Sequence, residues 1–155
     1  MARSLARPIL IGTLIAGTLD ILAAITLTLL YGRDPMTMLR YVASGPFLGA
    51  MGWGTGGSIL GLAVHFALMA IMVTIFVLAA ARIRRLWQQP ILWGFLYGLA
   101  TYVVMNLIVV PLRWPDRFPP STTSIVTQLF CHIVLVGIPI ALVTARHFRG
   151  RSPFR

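Results

Sequence analysis

Four apolar segments, each long enough to cross a bilayer as a helix, dominate this sequence. A helical span needs about 20 residues, and the predicted spans cover about residues 8–31, 58–81, 91–112 and 123–145. Hydrophobic residues make up 58% of the 155 residues, which leaves no room for a separate soluble domain. In hydrocarbon a single segment satisfies its own backbone only as a helix. We therefore expect an all-α integral membrane bundle of four transmembrane helices, forming a single domain over residues 1–155.

The charged residues indicate how the spans are oriented. Arginine supplies all 13 basic residues, against 3 acidic ones. Most arginines flank the spans on one side, and by the positive-inside rule that side, with both termini, is cytoplasmic. These positions suit membrane topology and lipid headgroups, so the basic balance does not indicate nucleic-acid binding. The cytoplasmic group is Arg3, Arg7, Arg82, Arg84, Arg85, Arg146, Arg149, Arg151 and Arg155; the outer group is Arg33, Arg40, Arg113 and Arg117, partly offset by Asp34 and Asp116.

The connection between the first two spans, residues 32–57, is long for a helical hairpin. Asp34 followed by Pro35 is a typical start of a helix, so we expect a short extra helix lying on the outer surface. Residues 45–57 are apolar and rich in glycine. They fit either a bent lead-in to the second span or a re-entrant segment, and bare backbone at membrane depth needs protein cover.

Each span carries one strongly polar residue well inside it. A carboxylate in a span is disfavoured by a few kcal/mol, which something in the fold or function must compensate. At about 1.5 Å per residue, all four positions fall in the outer half of the bilayer. We therefore expect a buried polar cluster of Asp20, His65, Asn106 and His132.

Helical spacing predicts which faces of the spans pack together. Small or polar residues share a face with each buried polar residue, as Ser124 and Gln128 do with His132 at intervals of four. Small residues let helix backbones approach closely in membranes. Pro139 removes a backbone donor and predicts a kink in the fourth span. The glycines expected to pack helices together are Gly17, Gly57, Gly61, Gly94 and Gly98.

Four interpretations of the cluster stay open. The polar groups act as hydrogen-bonding links between helices, or they form a relay in a small proton-linked transporter. Alternatively, His65 and His132 hold a b-type haem between the helices, as in an electron carrier. The fourth interpretation is a metal site, in which these two histidines are joined by Asp20.

Five stretches of the chain resemble a known family. They are "GTLDILAAI", "MLRYVASG", "GWGTGGSILGLAVHF", "LYGLATYVVMN" with "VVPL", and "HIVLVGIPIAL". Together they resemble small bacterial inner-membrane proteins of unknown function, similar to the YagU-like proteins. The resemblance implies a location in the bacterial cytoplasmic membrane and no established activity.

These observations favour a multi-pass membrane protein without enzymatic activity. We expect a self-associating protein, forming a homo-oligomer, or an accessory subunit of a larger membrane complex. Its expected surroundings are the lipid bilayer, and no cofactor is expected unless the haem interpretation holds. The single cysteine, Cys131, lies inside the fourth span and cannot form an intrachain disulfide.

Overall fold

The structure, a computed structural model, describes residues 4–150. Arg3, Arg151 and Arg155 of the predicted charge pattern lie outside the described residues, as does the side chain of Arg117. All regular elements in the described part of the chain are helices, which confirms the predicted all-α class. They are α1 (Ala6–Leu30), α2 (Pro35–Ala43), α3 (Gly54–Arg82), α4 (Arg85–Gln88), α5 (Pro90–Arg113) and α6 (Thr122–Arg149).

Helices α1, α3, α5 and α6 are long and apolar enough to cross a membrane, as the four apolar segments predict. Each extends beyond its predicted span at one or both ends. The largest difference is at α3, which begins at Gly54 and so shortens the glycine-rich connection. Gly54 has a positive φ of 54°, which a residue without a Cβ adopts at little cost where the chain turns into the helix.

The four long helices form one bundle. Helix α1 lies between α3 and α6, and α6 packs against α5 on its other side. The bundle closes where Tyr97 of α5 donates a hydrogen bond of 2.7 Å to the carbonyl of Met72 in α3. We call the end that carries both termini the termini end, and the end that carries α2 the loop end.

The apolar core of the bundle lies toward the termini end. Side chains from α1, α3, α4 and α6 interlock there, and Val73, Val77, Val136 and Ile140 are fully buried. Close packing of these apolar side chains stabilises this region. This half of the bundle is therefore filled by protein.

Glycines bring α5 and α6 into backbone contact. A Cβ on Gly94 would lie 2.8 Å from the Cα of Ile138, and a Cβ on Gly98 would collide with the carbonyl of His132. Gly137 on α6 meets both glycines of α5. The two helices can approach this closely only because these positions carry no side chain.

Helices α5 and α6 each contain a seven-residue π-helical segment, Val103–Val109 and Cys131–Gly137. Each segment ends two residues before a proline, Pro111 or Pro139. A proline cannot donate a backbone hydrogen bond to the preceding turn, and wider helical turns are one way to accommodate that loss. Asn106 lies on the first segment and His132 on the second.

Helix α2 begins as predicted at Asp34, whose carboxylate accepts hydrogen bonds from the amides of Met36 and Thr37. The Thr37 hydroxyl and the Met36 amide hold the pKa of Asp34 below its ordinary value. At its other face α2 packs against α3, where the backbone of Leu39 fits over Gly61. Ser58 adds a hydrogen bond of 2.8 Å to the Met36 carbonyl, so α2 is fixed on the loop end of α3.

The loop end of α5 also holds α2 in place. Arg113 donates from Nε and an NH2 group to the carbonyl of Ser44, at 3.2 and 2.7 Å, and from Nε to that of Gly45 at 3.1 Å. These carbonyls end α2, where a positive charge is favourable. The ring of Trp114 stacks on Tyr41 with centroids 4.3 Å apart.

We expect the Arg113→Gln substitution to loosen α2, because it removes charged donors from two carbonyls at the helix end. Such hydrogen bonds contribute about 1.5 to 3 kcal/mol. The measurement is hydrogen–deuterium exchange of residues 35–43 in detergent, which should become about tenfold faster or more. The matched control is Arg33→Gln, an exposed arginine at the same end. Equal exchange rates in the two variants would contradict the assigned role of Arg113.

Candidate functional site

The structure brings Asp20 and His65 together in the loop-end half of the bundle. Asp20 lies on α1 and His65 on α3, and Oδ2 of the aspartate is 3.9 Å from Nδ1 of the histidine. The Asp20 side chain is 20% exposed and that of His65 11%. The aspartate that is costly in a span therefore faces an ionisable partner on the neighbouring helix.

A backbone hydrogen bond fixes the orientation of the His65 ring. Its Nε2 lies 2.9 Å from the carbonyl oxygen of Gly17, one turn before Asp20 on α1. A carbonyl can only accept, so Nε2 carries the hydrogen. Gly17 also allows α1 and α3 to approach, since a Cβ there would lie 2.7 Å from Cε1 of Phe66.

This geometry turns the pair into a site for one exchangeable proton. With Nε2 donating to Gly17, the remaining ring nitrogen, Nδ1, points toward the Asp20 carboxylate. The pair is neutral when it holds one proton, either on the carboxylate or on Nδ1, and it is negative when it holds none. A net charge in hydrocarbon is costly, and either a proton or another cation can neutralise the carboxylate.

A cavity of about 550 Å³ connects this pair with the loop end of the bundle. Asp20 and His65 lie at its deep end, and Tyr31, Arg33 and Ser121 lie at its mouth. Polar groups of α1 and α6 line the passage between them. These groups include the side chains of Thr28, Ser124, Thr127 and Gln128.

His132 lies near the pair but does not line this cavity. Its Nδ1 is 2.9 Å from the carbonyl of Gln128 and donates to it, which leaves Nε2 as the second ring nitrogen. The charge of Asp20 acts on His132 as well as on His65. His132 also contacts Tyr102 edge to face, with centroids 5.9 Å apart. It therefore contributes to the electrostatics of Asp20 from the α6 side.

Asn106, the fourth predicted residue, lies on α5. It is half-buried on the π-helical segment of α5. Within residues 4–150 it forms no hydrogen bond with Asp20, His65 or His132. Helices α1 and α3 thus provide the central pair, and α5 contributes no polar contact to it.

The contacts of the histidines bear on the haem and metal interpretations. A haem ligand needs a free ring nitrogen, and His65 uses Nε2 for Gly17 while its Nδ1 faces Asp20. Ligation by His65 would replace one of these contacts. Among the described residues, no three His, Cys, Asp or Glu side chains lie close enough to hold a metal ion. A visible absorption spectrum of the purified protein, oxidised and then reduced, tests the haem prediction directly.

The sequence predicts that Asp20 and His65 belong to one polar cluster, but it does not predict the cavity above them. The sequence pattern indicates Ser124 and Gln128 only as neighbours of His132 on one helical face, and Thr28 only at the flank of the packing face of α1. It does not single out Thr127. Hydroxyl groups within spans often bond their own helix, as Thr28 does to the carbonyl of Ala24 at 2.6 Å. The available signal was the number of polar residues that begin α6, which exceeds what helix capping by Ser121 requires.

The chain was compared with protein-family models, curated proteins and solved structures. None of the three comparisons finds a match. The resemblance to the YagU-like family therefore stays a prediction, and a function has to be argued from the geometry of the site.

Proposed function

We propose that this chain is a multi-pass protein of the bacterial inner membrane that binds a small monovalent cation from the loop end, in exchange for a proton held by Asp20 and His65. Both termini lie in the cytoplasm and the loop end faces outward. The charge distribution supports this orientation, since Arg82, Arg84 and Arg85 lie at the termini end. The protein carries out no chemical reaction in this proposal.

The observation that carries the proposal is the position of the pair at the deep end of a cavity open on one side. Toward the loop end the cavity is lined by hydroxyl and amide groups together with apolar side chains such as Leu27, Met38 and Val42. Toward the termini end the bundle is filled by the apolar core around Val73 and Ile140. The apolar core therefore blocks further passage of a solute that reaches Asp20 from the loop end.

The chemistry of the lining favours a small cation as the solute. Asp20 is the only acidic residue within the four spans, and its carboxylate is partly exposed toward the cavity. Hydroxyl and amide oxygens from Ser124, Thr127 and Gln128 are suitable ligands for a hard cation. Asp20 lies ten helical residues, or roughly 15 Å, below the end of α1. Arg33 at the mouth is exposed to solvent, so salt screens its charge over that distance.

A cation and a proton compete for the same carboxylate in this arrangement. The pair is neutral with one proton, and a bound monovalent cation neutralises it equally well once the proton has left. Because the coupling is reciprocal, protons weaken cation binding by the same factor by which the cation weakens proton binding. Self-association, or a role as an accessory subunit, is compatible with this site. The mass of the particle purified in mild detergent tests both roles, because it shows how many copies of the chain and which other subunits are present.

Access to the cavity can be tested with a membrane-impermeant cationic thiol reagent, methanethiosulfonate ethyltrimethylammonium. In a Cys131→Ala background, the Gln128→Cys variant places a thiol in the cavity. The control is Val126→Cys, two residues away on the same helix, where the side chain is 62% exposed on the lipid-facing side. Thiolates form and react in water and not in hydrocarbon.

We expect the reagent to modify Gln128→Cys about tenfold faster or more than Val126→Cys, and only when it is added on the loop side of sealed vesicles. No reaction at Gln128→Cys would contradict a cavity that water and cations reach. Equal reaction rates at both positions would also contradict it, because the rate would then depend on depth in the membrane and not on exposure to the cavity.

A further inference from the structure

A second cavity lies at the opposite end of the bundle, between the first turns of α1 and the last turns of α6. Its volume is about 350 Å³. Arg7 and Arg146 lie at its rim, together with His147. The site proposed above does not involve this cavity, which is about the size of a small-molecule site.

The two arginines have no acidic partner in the described structure. The chain contains three acidic residues. Asp20 faces His65, and Asp34 lies 3.7 Å from Arg40 at the loop end. Asp116 lies in the turn Pro115–Arg117, also at the loop end. The positive charge at the rim is therefore not balanced within residues 4–150.

The lining changes from charged to apolar along the helix axis. On α1, Arg7, Ile11 and Ile15 recur at intervals of four and so lie on one face, spanning about 12 Å toward the bundle centre. On α6, Val143 lies one turn deeper than Arg146 and His147. Ile11 and Ile15 are 37% and 42% exposed, so their apolar surface is available along the groove.

This polarity gradient matches one class of ligand. An anionic headgroup is attracted by two arginines and by the N-terminal end of α1, where the helix dipole is positive. Below it, an acyl chain can lie against the isoleucines at a depth where the bilayer is hydrocarbon. Basic pockets between transmembrane helices at the membrane boundary are suited to anionic lipids. A soluble phosphate would contact only the arginines at the rim and would leave the apolar side chains of the groove uncovered.

We propose that the groove between α1 and α6 is a specific binding site for one anionic phospholipid, with its phosphate held by Arg7 and Arg146 and an acyl chain along Ile11, Ile15 and Val143. This inference does not depend on the cation site. It assigns a role to two arginines beyond setting the membrane orientation.

The test is native mass spectrometry of the full chain in detergent, titrated with phosphatidylglycerol or with phosphatidylcholine carrying identical acyl chains. We expect one tightly bound phosphatidylglycerol and weaker binding of phosphatidylcholine. The double variant Arg7→Gln/Arg146→Gln should bind phosphatidylglycerol about thirtyfold more weakly, at about fivefold for each arginine near the surface.

The matched control is Arg82→Gln/Arg85→Gln, which removes the same charge from two exposed arginines at the termini end but outside the groove. We expect less than about threefold weakening in this control. The Val143→Phe variant narrows the groove without changing its charge and is also expected to weaken phosphatidylglycerol binding. It tests the proposal independently of whether the double variant folds.

Three results would overturn the proposal. The first is equal weakening in the groove variant and the control, which would indicate a general attraction of charges. The second is equal binding of the two lipids by the unmodified chain. The third is displacement of phosphatidylglycerol by inorganic phosphate at matched concentration, which would show that the rim binds phosphate alone.

Discussion

Replacing Asp20 with asparagine is expected to abolish proton release on cation binding and to leave the bundle as stable as before, or more stable. The amide keeps the size of the carboxyl group but has no acidic proton to release. It also removes an ionisable group whose charged form is disfavoured by about 2.5 to 3.5 kcal/mol at a helix centre on insertion scales. His65 keeps its hydrogen bond to the Gly17 carbonyl in the variant.

Proton release is measured with a pH-sensitive dye in weakly buffered detergent solution when sodium, ammonium or guanidinium ions are added. The unmodified chain should release up to about one proton per molecule with the cation that binds, and the Asp20→Asn variant none. The control is Asp116→Asn, the same substitution in a loop-end turn outside the cavity. It should release as much as the unmodified chain.

The same variant distinguishes a binding site from a structural link between helices. If Asp20 and His65 only hold α1 to α3 as a buried ion pair, breaking the pair should destabilise the bundle by about 3 to 5 kcal/mol. A large loss of thermal stability in Asp20→Asn would therefore contradict the proposed role. Unchanged proton release in this variant would contradict it as well.

The substitution Gly98→Ala is expected to cause a clear loss of stability, because the added methyl group meets the backbone of the neighbouring helix. The added Cβ would collide with the backbone carbonyl of His132, and it would lie 2.5 Å from the Cα of Ile133. Neither contact involves a flexible side-chain end, so α5 and α6 must move apart. Overpacking of this kind costs about 1 to 3 kcal/mol.

The matched control for this substitution is Gly56→Ala. Gly56 is also helical, but no atom lies within 4 Å of the position its Cβ would take. Alanine is favoured over glycine in a helix, so this variant should be unchanged or slightly more stable. Thermal unfolding in detergent measures both. Equal midpoints for the two variants would contradict the close contact of α5 with α6.

The architecture and the central pair could be predicted from sequence for definite physical reasons. Long apolar segments have few alternatives to transmembrane helices, and the structure contains four helices of the required length and composition. Asp20 and His65 were expected in one cluster with Asn106 and His132, because the four positions fall at similar depths and each shares a face with small or polar residues. The start of α2 at Asp34 followed from its capping chemistry, which is local in sequence.

Other features depend on how the helices are arranged, which a sequence pattern does not contain. Asn106 shares a depth with Asp20, but depth says nothing about which side of the bundle α5 occupies. The cavity is lined by side chains of both α1 and α6, such as Thr28 and Thr127, so it depends on how these two helices pack. The π-helical segments of α5 and α6 were missed, although Pro139 indicated that the helix before it is irregular.

The central claim is that a cation reaching Asp20 from the loop end displaces a proton from the pair with His65. Isothermal titration calorimetry in two buffers of equal pH and different ionisation enthalpy tests it most directly, because the difference in heat counts protons released per cation bound. We expect about one proton released per cation bound by the unmodified chain, and no binding heat for Asp20→Asn. Identical heats in the two buffers would show that the cation binds without releasing a proton, and would contradict the account.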